Sequence, residues 1–173
     1  MHHLVRTVQQ DLNLPIVDPV PAEGLHLTMQ GVGFTDEVSS VDFAAMVASA
    51  RGRCREIPPF ELTLGPVDAD AEGVGLLVDP WAPVERVRHA LRESIKSVWG
   101  EVPEPQDGFR PHVTVAYSAT DAPVADLRAR LAVLRRLPPV VTTVRAAQLI
   151  ALNRDHRVYR WTVEATAPFA GPP

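Results

Sequence analysis

The sequence of 173 residues predicts an α+β fold built as two similar lobes. Three observations carry this. Stretches of apolar alternation interleave with stretches of helical periodicity along the chain. Several alternating stretches are joined by turns too short for a crossover helix, so their strands are antiparallel, which argues against a doubly wound parallel sheet. Finally, the pattern His-apolar-Thr-apolar is written twice, in "GLHLTMQ" from Gly24 and in "RPHVTVA" from Arg110, and a helical stretch follows each. At 46% hydrophobic residues, a chain of this length supports one well-buried domain or two small lobes sharing a core.

The first element is a short helix in "LVRTVQQDLNL", where Leu4, Val8 and Leu12 fall at helical spacing. Pro15, Pro19 and Pro21 then hold the chain extended. "GLHLTMQGVGF" alternates and predicts a strand. "TDEVSSVDFAAMVASARGR" predicts a helix capped by Asp36 or Ser40, with Val41, Ala44, Ala45 and Ala48 as its apolar stripe. "FELTLGPV" and "GVGLLVD" predict two strands around an acidic turn. The clearest helix is "WAPVERVRHALRESIKSVWG", in which Val84, Val87, Leu91, Ile95 and Val98 recur at helical spacing and Gly100 ends the run. The loop "EVPEPQDG" leads into a second alternating strand, "FRPHVTVAYS". "DAPVADLRARLAVLRRL" predicts a helix. "PVVTTVRAAQLIAL" and "RVYRWTVEATA" predict closing strands about a turn at "NRDH". The whole of 1–173 reads as one bilobal domain whose tail, from about residue 168, is expected to fray.

Composition excludes several functions. A net charge of −4 and a pI near 5.8 leave no broad basic face for duplex nucleic acid, although a pocket for a small anion needs only a few donors. Cys54 is the one cysteine, so neither a disulfide within the chain nor a CxxC zinc pair exists. Three arginines flank it in "RGRCREI", but no partner motif for a nucleophile follows, and it reads as a structural thiol. No apolar run has the length of a membrane helix and no signal-peptide pattern opens the chain. The expectation is a cytoplasmic monomer that engages no membrane.

The repeated pattern carries the chemistry. Alternate side chains of a strand share a face. His26 therefore sides with Thr28, against Leu25, Leu27 and Met29, and His112 sides with Thr114, against Val113 and Val115. Six histidines and ten threonines yield about 0.3 His-x-Thr matches by chance, and fewer than about 0.1 once both variable positions must be apolar. Two matches therefore point to a shared site rather than to two exposed strands. Imidazole ordinarily titrates at about pH 6.5, so near neutrality one ring can serve as general base and another as general acid. In-line cleavage of a phosphodiester needs both, on opposite sides of phosphorus. Each threonine hydroxyl can donate to a non-bridging oxygen as charge develops there. No metal is required.

The pair "HLTM" and "HVTV" resembles the two-histidine (2H) phosphoesterase superfamily, named for two H-x-T/S-x signatures. "FRPHVTVA" resembles in particular the branch of 2′-5′ RNA ligases and RNA 2′,3′-cyclic phosphodiesterases, whose second signature commonly follows an aromatic-x-Pro segment. The resemblance spans most of the chain. It implies a pseudo-twofold, bilobal fold with two antiparallel sheets facing a central groove and helices outside. It implies cyclic phosphates or 2′-5′ linkages as substrates, on small nucleotides or RNA 3′ ends, with no cofactor. Carried over by position, the catalytic pair is His26 and His112, and the phosphate binders are Thr28 and Thr114. Two departures stand out. Relatives generally begin with a strand before the first helix, whereas this chain begins almost at the helix; the alternatives are a native start further upstream and a reduced lobe, and a missing strand would leave a sheet edge exposed or differently paired. Relatives also often place a basic residue just after the second motif, where this chain has Tyr117.

The remaining candidates stay open. Arg110 is either a phosphate contact or a surface residue. Tyr117, an odd number of residues from Thr114, is expected to face the core. Arg154, His156, Arg157 and Arg160 form either a solvated turn or a groove-lining hairpin. His89 is expected at the surface, and His2 and His3 at a mobile end. Trp81, Trp99 and Trp161 are core or helix-end anchors, any of which offers a face to a base. Gly31, Gly33, Gly73 and Gly75 lack the context of a nucleotide fingerprint. The competing functions are a non-catalytic module binding RNA ends or nucleotide phosphates, and a metal site at His26, His112 and His156.

Overall fold

The structure, a computed structural model, describes residues 1–12, 16–119, 124–153 and 160–171. Among these residues the order is α1 (His2–Leu12), β1 (Val17–Pro19), α2 (Ser40–Cys54), β2 (Phe60–Ala69), β3 (Gly73–Asp79), α3 (Trp81–Trp99), β4 (His112–Ser118), α4 (Val124–Leu131), β5 (Val140–Val144), β6 (Ala146–Asn153) and β7 (Arg160–Pro168). The strands form two antiparallel sheets. One has the order β1-β4-β3-β2-β5 and the other pairs β6 with β7. The α+β class holds, and every pairing among the described strands is antiparallel, with short links joining β2 to β3 and β6 to β7. The three residues of β1 cover the open edge of β4, and Pro19 is tolerated because β1 is itself an edge strand.

Two cores fill the molecule. In the first, Leu4, Val5, Val8 and Leu12 of α1 and Leu127 and Leu131 of α4 pack with the inward residues of the larger sheet, among them Leu62, Leu64, Val74, Leu76, Val113 and Val115. The second gathers Cys54, Ile57, Val87, Ala90, Ala167 and Phe169. Met29, Phe60 and Val144 touch both. Helix α3 also serves both, with Val84 in the first and Val87 in the second, and Gly100 ends it in the left-handed conformation at φ 78°.

Five expectations are corrected. "GLHLTMQGVGF" lies outside both sheets. Its alternation survives, since Leu25, Leu27 and Met29 all pack on the first core. However, β1 occupies the edge of β4, and side chains bind this segment instead of a ladder. The Met29 carbonyl accepts from Arg88 Nε at 3.0 Å, and the Gly31 N–H donates to Glu104 Oε2 at 3.1 Å. Helix α2 is capped by Ser39, whose Oγ accepts from the Asp42 N–H at 3.1 Å, rather than by Asp36 or Ser40. Its inward face is Met46, Ala50 and Cys54, while Val41, Ala44, Ala45 and Ala48 are exposed; burying the larger side chains removes more apolar area from water. "PVVTTVRAAQLIAL" divides at Arg145 into β5 and β6, one in each sheet. Last, Phe169 does not fray. It is 5% exposed, stacks on Phe60 at 5.7 Å between centroids, and donates its N–H to the Arg145 carbonyl at 2.8 Å. The turn expected at "NRDH" lies outside the described residues apart from Asn153, which ends β6.

Candidate functional site

His112 opens β4 opposite Leu77 of β3, and Thr114 lies opposite Gly75. Val113 and Val115 are buried on the core side, so His112 and Thr114 face away from it, each half-buried. Gly75 leaves room for the imidazole. A Cβ there would lie 3.4 Å from His112 Cδ2. Pro111 holds Arg110 extended, and the Arg110 carbonyl lies 2.8 Å from His112 Nδ1. A carbonyl only accepts, so Nδ1 carries a proton and proton exchange falls to Nε2.

The first motif repeats this geometry on a different scaffold. A 3-10 turn, Ala22–Gly24, closed by the Gly24 N–H donating to the Pro21 carbonyl at 2.8 Å, presents the Gly24 carbonyl 3.0 Å from His26 Nδ1. In both motifs the acceptor is the carbonyl two residues before the histidine. Proton exchange is again assigned to Nε2, since Nδ1 faces a carbonyl. The His26 ring also meets Trp161 of β7 edge to face, with centroids 4.9 Å apart and planes at 71°. His26 thus leans on the two-stranded sheet, whereas His112 belongs to the five-stranded one. Thr28 and the Arg110 side chain are exposed.

A polar clamp links the two motif segments. Arg88, on α3 and only 8% exposed, donates from Nε to the Met29 carbonyl at 3.0 Å, from Nη1 to the Gln106 carbonyl at 2.9 Å, and from Nη2 to the Pro105 carbonyl at 3.1 Å. Its guanidinium lies over the Phe109 ring, 4.5 Å from the centroid. Burial pushes its pKa below the usual arginine value; neighbouring Arg92 adds to this and Glu104 opposes it. One turn along the helix, Arg92 Nη1 donates to Gln30 Oε1 and to the Glu104 carbonyl, both at 2.8 Å. Gln30 Nε2 completes the link to Glu104 Oε2 at 3.0 Å. The sequence reading missed these residues. The signal was an arginine inside the apolar stripe of α3, between Val84 and Leu91, where a charge has to be buried.

Tyr117 is also corrected. The β3–β4 register slips by one residue between Val74 and Gly75, so Val115 and Ala116 both turn inward. Tyr117, paired with Gly73, comes out on the face that carries Thr114 and His112. The rule of odd spacing fails because it assumes an unbroken pleat.

Other candidates fall into place. Cys54 is fully buried and burial pushes its thiol pKa up, as suits a structural residue. His89 is exposed. Trp99 Nε1 donates to Asp42 Oδ2 at 3.2 Å and ties the end of α3 to the start of α2, while Trp81 is exposed at the start of α3. Arg160 is exposed on β7, and Arg154, His156 and Arg157 lie outside the described residues. Among the described residues no group of three His, Cys, Asp or Glu side chains is placed to hold a metal ion, and no helix is long and apolar enough to cross a membrane. A cavity of about 410 Å³ lined by Arg6, Gln9, Leu12, Val17 and Pro19, among others, includes no motif residue.

Comparison with known proteins bears on the whole arrangement. TT0787 of Thermus thermophilus superposes with a TM-score of 0.72 at 20% identity, over 96% of this chain and 90% of that one. E. coli LigT complexed with NADP+ gives 0.71 at 23% identity, over 98% and 90%. A structure described only as a phosphoesterase gives 0.71 at 22% identity, over 99% and 94%. Likeness at these identities establishes a shared fold. No curated protein matches the chain by sequence. The profile of the 2′-5′ RNA ligase superfamily matches residues 5–156, a span that includes both histidine motifs, and the chain belongs to that superfamily.

Proposed function

We propose that the protein is a metal-independent phosphoesterase that opens 2′,3′-cyclic phosphates, on nucleotides or RNA 3′ ends, to 2′-phosphates. His26 and His112 are its acid–base pair, and the reading requires the two rings to lie on opposite sides of one phosphorus atom. The observation that carries this reading is the shared ring geometry. Each Nδ1–H is committed to the carbonyl two residues back, which fixes ring orientation and dedicates Nε2 to proton transfer. One Nε2 takes a proton from water as its oxygen bonds to phosphorus. The other donates a proton to the departing 3′-oxygen as the P–O3′ bond breaks. Thr28 and Thr114 donate hydrogen bonds to the non-bridging oxygens, and Arg110 supplies positive charge at the rim. With a ribose 5′-hydroxyl in place of water, the same steps make a 2′-5′ linkage. E. coli LigT has been crystallised with NADP+, 3′-AMP, ATP and phosphate, and a phosphate-bearing nucleotide is the ligand class proposed here.

The test is turnover of 2′,3′-cyclic mononucleotides and cyclic-phosphate-ended RNA in EDTA from pH 5 to 9. The expected result is a bell-shaped pH profile, with turnover abolished in both His26→Ala and His112→Ala. Retained 3′-AMP binding without turnover of any cyclic phosphate would instead make this a non-catalytic binding module.

A further inference from the structure

The two histidines are 86 positions apart in sequence; His112 lies on the five-stranded sheet, whereas His26 lies outside both sheets and touches the two-stranded one through Trp161. Acid–base catalysis across one phosphorus atom requires a fixed separation between them, and a misplacement of about 1 Å can cost about 100-fold in rate. Neither sheet sets that separation, because the His26 segment belongs to no ladder. We propose that Arg88 is the positioning residue that sets it, joining the His26 segment to the loop that delivers His112. This rests on the two-histidine reading above.

The geometry is specific to arginine. Its three donors reach Met29, three residues after His26, and Pro105 and Gln106, shortly before His112. The planar fork fixes the angle between these carbonyls, and the Phe109 ring fixes the plane of the fork. Phe109 is itself three residues before His112. Helix α3 is a suitable base for the clamp, because it is anchored in both cores through Val84 and Val87. Among the described residues Arg88 donates to three carbonyls and lies over one ring, and neither imidazole is among these contacts. Any influence on the histidines therefore passes through the backbone.

The experiment uses Arg88→Lys, which keeps the charge but cannot span three carbonyls, and Arg88→Ala. Arg135→Ala is the control, since it breaks a surface ion pair with Asp68 elsewhere on the larger sheet. Two readouts are taken on folded protein. The first is the imidazole ¹⁵N spectrum of His26 and His112. Arg88→Lys is expected to shift or broaden the signals of both rings, and Arg135→Ala of neither. The second is turnover of 2′,3′-cyclic AMP. Arg88→Lys is expected to lower kcat by about 100-fold, with KM changing by less than about threefold. Unchanged signals from either ring in Arg88→Lys, or a fall in thermal stability alone with kcat intact, would overturn the proposal. If the wild-type protein turns over no cyclic phosphate, the functional reading fails and the spectrum alone decides the clamp. Should Arg88→Ala not fold, Arg88→Lys carries both readouts.

Discussion

His26 and His112 reach the same local geometry from unlike backgrounds. One ring is held by a 3-10 turn and an aromatic edge, the other by the start of a paired strand. The Trp161 contact is the asymmetric part. An edge-to-face aromatic pair contributes about 0.5–1.5 kcal/mol beyond its buried area, which corresponds to about 2- to 10-fold in a rate that depends on ring orientation. Trp161→Ala is therefore expected to lower kcat for 2′,3′-cyclic AMP by up to about 10-fold, and Trp161→Phe to restore most of it. Equal losses in both variants would show that the indole matters for something other than its face. At this scale the doubled motif puts forward His26, Thr28, His112 and Thr114 as the proposed site, and the two histidines share one ring geometry, but the sequence says little of their surroundings. Trp161 could not be chosen over Trp81 or Trp99, because pairing with His26 depends on β7 lying beside a segment more than 130 positions earlier.

Among the elements, α4 and the 3-10 turn that follows it are fastened to β2 by charge as well as by Leu127, Leu131 and Leu134. Arg135 pairs with Asp68, Arg128 lies 3.7 Å from the same carboxylate, and Arg128 Nε donates to the Ala69 carbonyl at 2.9 Å. Burial pushes the Asp68 pKa up. The Ala69 N–H it accepts, together with Arg135 and Arg128, more than offsets this, and the carboxyl titrates below its ordinary value. A depressed carboxyl stabilises the fold above the unfolded-state pKa of about 3.9, and that contribution disappears as pH falls through the lower folded value. Asp68→Asn is thus expected to melt below the wild type at pH 6, with the gap closing under about pH 4. A gap independent of pH would assign the effect to packing. The legibility of elements followed the same physics. Helix α3 was plain because one strong stripe fixes one face. Helix α2 was placed correctly but turned the wrong way, because alanines fit either face and only burial against α3 and β7 decides. The first motif looked like a strand because its alternation is real, yet a ladder also needs a free neighbour, and β1 had taken that edge.

For the whole molecule, the organising feature is the seam between two cores, crossed by Met29, Phe60, Val144 and α3. Two lobes were legible from the repeated motif. The division into five strands and two was not, because it turns on one residue, Arg145, where a continuous β-like run changes sheets. The clamp at Arg88 belongs to this scale as well: its place in the apolar stripe of α3 signals burial, but nothing local names its partners on two distant loops. The second core has a further consequence. It holds the chain's only thiol, on the inward face of α2 and fully shielded from solvent in the cluster that includes Val87 and Phe169. Alkylation of Cys54 therefore works as a built-in clock, advancing only when α2 or the C-terminal anchor lifts away. A thiol reagent is expected to react slowly with the native protein and at once in denaturant, and Phe169→Ala to quicken the native reaction while leaving the denatured one unchanged. Fast labelling of the untouched native chain would mean that this core opens freely.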